Sequence, residues 1–333
     1  MLRKSSSKIS CFKPEGAATV RAIAAAPRQE RRILGILLMI AATLCFTCID
    51  SSAKWLGKGL PVIEIVFIRY FGHLICVSAL YLPVYGVSLL RSSNPGVQLR
   101  RGFFLLSSTL LNFAAVQFLP LATTSAIQFT SPLWISILSI FLLGEVVGWR
   151  RWTAIAIGFV GVLVVVRPGL DAFHPASLLS VATAVAAALY FIDTRRLTGI
   201  DATATQQFHA AALPTLVFAP LAAYYWQWPQ GTANWFAFIA IGFWGWAGHQ
   251  LATVALRFAP ASVVAPFTYF QIVPMVFAGY LLFGDQPDFW VYVGAIIVIV
   301  SGLFVLYRQH ALARRAEREA LLPPANPRLR SII

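Results

Sequence analysis

Apolar runs broken by short polar links make up most of the chain. Ten such runs fall at about 33–55, 61–84, 102–119, 122–143, 152–166, 176–194, 204–226, 234–256, 261–283 and 289–307. A helix needs roughly 20 apolar residues to cross a bilayer core, and all but the short fifth run reach or approach that length. Gly and Pro recur inside the runs, which helices within a membrane tolerate better than helices in water. The links 119–121 and 257–260 leave room only for tight helical hairpins. The pattern predicts an all-α integral membrane protein with ten transmembrane helices.

The fourth and ninth runs share one frame. Laid over each other without a gap, Phe118–Glu145 and Phe258–Asp285 match at Phe118/Phe258, Pro120/Pro260, Leu142/Leu282, Gly144/Gly284 and the acids Glu145/Asp285. Upstream, Ile49-Asp50-Ser51 matches Ile192-Asp193-Thr194, with a spacing that one loop insertion accounts for. The chain is therefore expected to hold two repeats, 33–167 and 176–308. An odd number of helices in each half turns the second half over relative to the first. Such inverted repeats place substrate near the membrane midplane, where the halves meet.

Composition agrees with the pattern. Hydrophobic residues are 59% and charged residues 11% of the chain, against roughly 25% charged in soluble domains; mean hydropathy is +0.74. The formal charge of +14 by itself suggests nucleic acid, but the basic residues sit in the tails and short loops, which excludes that partner. With the N-terminus in the cytoplasm, 22 of the 26 Lys and Arg residues fall on the inner side. Lys54, Lys58 and Arg167 fall outside, and only Arg69 lies within a span. This bias predicts that both termini are cytoplasmic. Residues 1–32 read as a basic, disordered cytoplasmic tail and 309–333 as a second basic tail. Cys45 and Cys48 have C-x-x-C spacing, but they lie inside a span with no second pair, so they read as small packing residues and not as a redox or metal site.

With the repeat in place, the chain resembles the drug/metabolite transporter superfamily, in particular its ten-helix EamA-type members. The resemblance covers about residues 33–308 and rests on three features. They are the opening GILLMIAATLCFTCIDSSAKWL, the FIRYFGH of the second run, and the paired endings FLLGE (141–145) and LLFGD (281–285), each followed by a Gly-rich helix. The second ending departs from the usual glutamate with Asp285, an acid expected to brace the fourth and ninth helices and not to touch substrate. The resemblance implies a secondary carrier of small metabolites in a bacterial inner membrane, working by alternating access without a cofactor. Members of this kind move amino acids, riboflavin, S-adenosylmethionine, sugars or drug-like compounds.

Ionisable and polar residues inside spans mark the candidate site, because a bilayer makes them costly to keep. Asp50, Glu64, Arg69 and His73 form a first cluster, read either as a gate or charge site or as a structural ion pair between the first two helices. Asp193 mirrors Asp50, and the symmetry favours a structural role for that pair. Asn112, Gln128, Ser131 and Trp134 in the first half and Tyr269 and Gln271 in the second form a deeper, substrate-binding cluster. Pro132 and Pro274, two positions out of register in the repeated frame, interrupt the helical ladder there and free backbone carbonyls. Trp246, His249 and Gln250 are spaced to share a face of the eighth span, and aromatic faces beside amides suit a flat or amphipathic solute.

No nucleophile–base pair and no metal-binding spacing such as H-E-x-x-H occurs, so an intramembrane enzyme is not expected. A receptor or assembly subunit that binds without moving its ligand is the alternative, although neither role needs two opposed halves. Gly158/Gly161 and Gly294/Gly302 offer small-residue faces that suit either a homodimer contact or internal packing.

Overall fold

The computed structural model describes residues 28–143, 149–168, 170, 173–197, 200–259 and 264–321. Every element among them is helical. In order they are α1 (Arg28–Leu56), α2 (Val62–Tyr85), a 3-10 turn at Gly86–Leu90, α3 (Pro95–Ala115), α4 (Leu121–Gln128) and α5 (Ser131–Leu143). Then come α6 (Trp149–Val166), α7 (Ser177–Leu197), α8 (Thr203–Tyr224), α9 (Thr232–Phe258), a 3-10 segment at Ala265–Gln271, α10 (Ile272–Phe283) and α11 (Phe289–Leu321). The stretch expected to be disordered up to residue 32 is helical from Arg28, and α11 runs on past the last apolar run. Gly144, Glu145 and Pro260 of the repeated frame lie outside the described residues, as do 1–27 and 322–333.

Among the described residues, five helical spans are long and apolar enough to cross a membrane, and two shorter ones are apolar. Polar groups lower the hydropathy of the others: Ser107, Ser108, Thr109 and Asn112 in α3, Gln206, Gln207 and His209 in α8, and His249 and Gln250 in α9.

The fourth run is broken between α4 and α5, and its counterpart in the second half is a 3-10 segment followed by α10. Both breaks fall just before a proline, Pro132 in the first half and Pro274 in the second. A proline ring clashes with the carbonyl four residues earlier, which here is that of Gln128 for Pro132 and that of Phe270 for Pro274. In the first half the freed groups are recaptured locally: Thr130 Oγ1 donates to the Ile127 carbonyl at 2.7 Å and Ser131 Oγ to the Gln128 carbonyl at 2.7 Å. The closing Gly of the repeated ending has an equally physical role. Gly284 adopts φ 67° and ψ 17° at the end of α10, a left-handed cap that costs glycine least. Its N–H donates to the Tyr280 carbonyl, while the Asp285 N–H reaches back to Gly279.

Packing between halves dominates. The most extensive helix pairs are α1 with α9, α6 with α11, α3 with α7, and α2 with α8, whereas α1 and α2 barely touch. Exchanging the halves maps α1–α9 onto α3–α7 and leaves α6–α11 and α2–α8 in place. The repeat is therefore visible in the packing as a two-fold relation. Lipid is as apolar as a leucine side chain, so association here depends on close fit and hydrogen bonds more than on the exclusion of water. At the α2–α9 crossing, a Cβ on Gly242 would lie 2.6 Å from Gly72 Cα, so the two backbones touch. At α6–α11, a Cβ on Gly294 would lie 2.6 Å from the Gly161 carbonyl, and one on Gly158 would strike Leu133 and Ser301. These glycines pack within the chain. Cys45 serves the same end, since a Cβ on Gly248 would lie 3.2 Å from Cys45 Cβ.

Candidate functional site

A cavity of about 580 Å³ opens between the halves, lined by α1, α2, α3, the α4–α5 break, α7, α9, the 3-10 segment and α11. The matched broken runs meet at its edge, where the rings of Phe129 and Tyr269 lie 5.1 Å apart at 74°.

One wall carries a relay of hydrogen bonds. Asn112 Nδ2 donates to Asp50 Oδ1 at 2.8 Å, Gln128 Nε2 donates to Asn112 Oδ1 at 2.7 Å, and the Gln128 carbonyl is held by Ser131. Asn112 reads Asp50 with its donor and Gln128 with its acceptor, which fixes its amide orientation. The relay joins α1, α3 and the α4–α5 break, and every member lines the cavity. Opposite, Arg69 Nη2 lies 3.4 Å from His249 Nε2, and the Arg69 guanidinium sits 4.2 Å from the Tyr70 ring centroid. Arg69 is 4% exposed. Among the described residues its Nε and Nη1 have no hydrogen-bond partner, and no carboxylate lies within ion-pair distance of it.

The expected residues therefore divide. Asp50, Arg69, Asn112, Gln128, Ser131, His249, Tyr269 and Gln271 line one cavity. Trp134 is turned away and packs edge-on against Phe159 at 4.9 Å. Trp246 packs against Phe243, with ring centroids 5.7 Å apart. Gln250 leaves the cavity face to meet Tyr81, so Trp246, His249 and Gln250 do not act as one face. His73 sits behind His249 with the rings stacked at 5.8 Å. Glu64 stands apart at the start of α2, where its Oε2 accepts from the Gln227 backbone at 3.1 Å.

Of the two readings of the first cluster, the ion pair between the first two helices is not seen among the described residues: Asp50 is held by α3, and α1 hardly contacts α2. The mirrored Asp193 behaves differently from Asp50. It is clamped by Arg100 at 2.6 Å and by Arg196 at 3.4 Å, so the two members of the pair have parted roles. The freed carbonyl of Gln128 accepts a hydrogen bond from Ser131.

Several lining residues carried no signal in the sequence. Phe46, Phe113, Phe191, Ile135 and Leu256 form the apolar walls, and nothing distinguishes them within helices that are apolar on every side. Ser108 and Thr109 line the α3 wall. Their position one turn before Asn112 is the spacing that points to them.

One end of the cavity is fastened. Lys54 Nζ donates to Asp285 Oδ2 at 2.7 Å and to the Leu119 carbonyl at 3.0 Å. Asp285 Oδ2 also accepts from the Leu121 N–H at 3.3 Å. The closing acid of the second repeat thus joins the end of α10 to α1 and to the α3–α4 hairpin.

Comparison with known proteins agrees with this architecture. The EamA-like transporter family matches residues 33–167 and 174–307. The S-adenosylmethionine uptake transporter of Rickettsia felis is 27% identical, over 86% of this chain and 97% of its own length. The riboflavin transporter of Vibrio cholerae is 31% identical over the same shares. The pseudopaline exporter of Pseudomonas aeruginosa is 28% identical over 80% of this chain and 94% of its own. A crystal structure of a protein 22% identical in sequence superposes with a TM-score of 0.55, covering 87% of this chain and all of that one, and shares the fold. The chain belongs to the EamA-like transporter family, a multi-pass transporter of the inner membrane and not an enzyme.

Proposed function

We propose that the chain is a secondary carrier that moves a small amphipathic metabolite by alternating access, with ten membrane crossings, inverted halves and both termini in the cytoplasm. The cavity at the junction of the two matched halves carries this reading. The charge bias of the loops supports the orientation, and the exchange symmetry of the helix pairs supports two halves that rock against each other. In this orientation Met39, Phe191, Arg195, Leu256 and Leu306, which line the cavity, lie toward the cytoplasmic ends of their helices. The Lys54–Asp285 fastening then lies on the outer side. The conformation corresponds to a site open inward and closed outward. Relatives named for S-adenosylmethionine, riboflavin and pseudopaline support a solute of metabolite size.

Counterflow in proteoliposomes tests the proposal without knowledge of direction or driving force. Labelled amino acids, S-adenosylmethionine, riboflavin and sugars are offered in turn. Exchange of one compound, competed by its unlabelled form, is the expected result. Saturable binding with no flux would favour a receptor.

A further inference from the structure

We propose that Arg69 and Asp50 form a two-point charge receptor for the zwitterionic head of the solute, with Arg69 taking a carboxylate and Asp50 a cationic group. The inference rests on the carrier reading and narrows its substrate class.

Both residues line the same cavity and both are buried, Arg69 at 4% and Asp50 at 8% exposure. They are not paired with each other, although Arg69 is near enough to act on the Asp50 charge. A buried guanidinium with no carboxylate in contact is costly. A fold retains such a group where a ligand supplies the missing charge. Nε and Nη1 of Arg69 have donors left over, and with either of them the second hydrogen of Nη2 completes an edge that matches the two oxygens of a carboxylate. The Tyr70 face and the His249 ring hold the guanidinium in place.

Asp50 supplies the opposite charge. Asn112 fixes one of its oxygens, and the relay through Gln128 aligns the carboxylate from behind. A simple anion drawn to Arg69 would meet the charge of Asp50 in the same cavity, and a simple cation would meet Arg69. An uncharged solute would leave neither charge in contact with its opposite. Only a solute bearing both charges satisfies both walls. Around the pair the lining is apolar and aromatic, with Phe46, Phe113 and Phe129 among it, which suits an apolar or flat body attached to the head.

The test uses the full chain in proteoliposomes and counterflow of four labelled probes: phenylalanine, methionine, S-adenosylmethionine and riboflavin. The expected result is exchange of at least one of the first three, competed at least tenfold less well by its carboxamide and by its N-acetyl form than by the unmodified compound. Arg69→Gln is expected to erase the discrimination against the carboxamide alone, and Asp50→Asn that against the N-acetyl form alone. These are ratios within one protein sample, so a lower yield of folded variant does not imitate them; if a variant does not insert, competition against the native chain still decides. Exchange of riboflavin only, or equal competition by the capped forms, would overturn the charge receptor and leave the carrier reading standing. Folded protein that exchanges none of the four would count against both.

Discussion

Lys54 on α1 and Asp285 at the end of α10 are 2.7 Å apart, and neither side chain is more than 15% exposed. The pair links the two halves at one end of the cavity, and Lys54 adds a second bond to the Leu119 carbonyl. A charge-assisted hydrogen bond of this kind is worth on the order of 1.5–3 kcal/mol. Asp285→Asn and Lys54→Ala are therefore expected to shift the balance toward outward-open forms by about tenfold or more. In a cysteine-free background, Ser51→Cys should react faster with an external membrane-impermeant maleimide once the pair is removed. An unchanged labelling rate would make the pair a brace with no part in gating.

The relay Asp50–Asn112–Gln128 predicts a split between activity and folding. Gln128→Ala removes the donor to Asn112 and leaves the amide of Asn112 free to turn. Transport is expected to fall about tenfold while the amount of folded protein in the membrane falls less than twofold. His249→Ala and Gln271→Ala should behave likewise. Equal losses of flux and of folded protein would mark these residues as structural.

Gly302 shapes the cavity through its neighbour. A Cβ there would collide with the hydroxyl of Tyr269, a side chain 5% exposed that lines the site. Gly302→Ala is expected to push Tyr269 toward Phe129 and to raise the half-saturating substrate concentration several-fold. Gly302→Ala with Tyr269→Phe should recover part of the loss, since it removes the atom that collides.

Asp201, in the link between α7 and α8, supports an acid-stability prediction. Burial alone would raise its pKa, but hydrogen bonds from Ser92, the Ser93 backbone and Gln98 outweigh burial and hold its carboxyl below the usual value of 3.8. A depressed carboxylate pKa contributes stability that is complete above the unfolded value and is lost as pH falls through the folded one. Detergent-solubilised protein should therefore lose thermal stability below about pH 4. The drop should be shallower in Asp201→Asn, which begins less stable at neutral pH. Parallel curves for the two proteins would remove Asp201 from the account.

The large-scale order of the fold was legible because it is written in features with strong contrast. The matched frames around Pro132 and Pro274 announced where the helices break, and the breaks stand just before those prolines. The polar residues of α3 and of the α4–α5 break announced one wall of the cavity. Orientation around each helix was harder to read. Helical periodicity depends on a contrast between apolar and polar faces, and lipid-facing and buried positions here are both apolar. Trp246 and His249 are one turn apart yet only His249 lines the cavity, and Trp134 faces Phe159 while Ser131 lines the site. Asp50 and Asp193 are equivalent in the repeat, but among the described residues only Asp193 has arginines within ion-pair distance. Such differences arise from partners far away in sequence, which a local pattern does not contain.

The predominance of contacts between halves has a consequence for biogenesis. As the chain emerges, α1 lacks α9, α3 lacks α7 and α6 lacks α11, so the N-terminal half enters the lipid with its glycine faces unmatched. Release of that half from the insertion machinery must wait for the C-terminal half, and a chain truncated after Val166 would present to quality-control proteases the surfaces that the intact protein conceals.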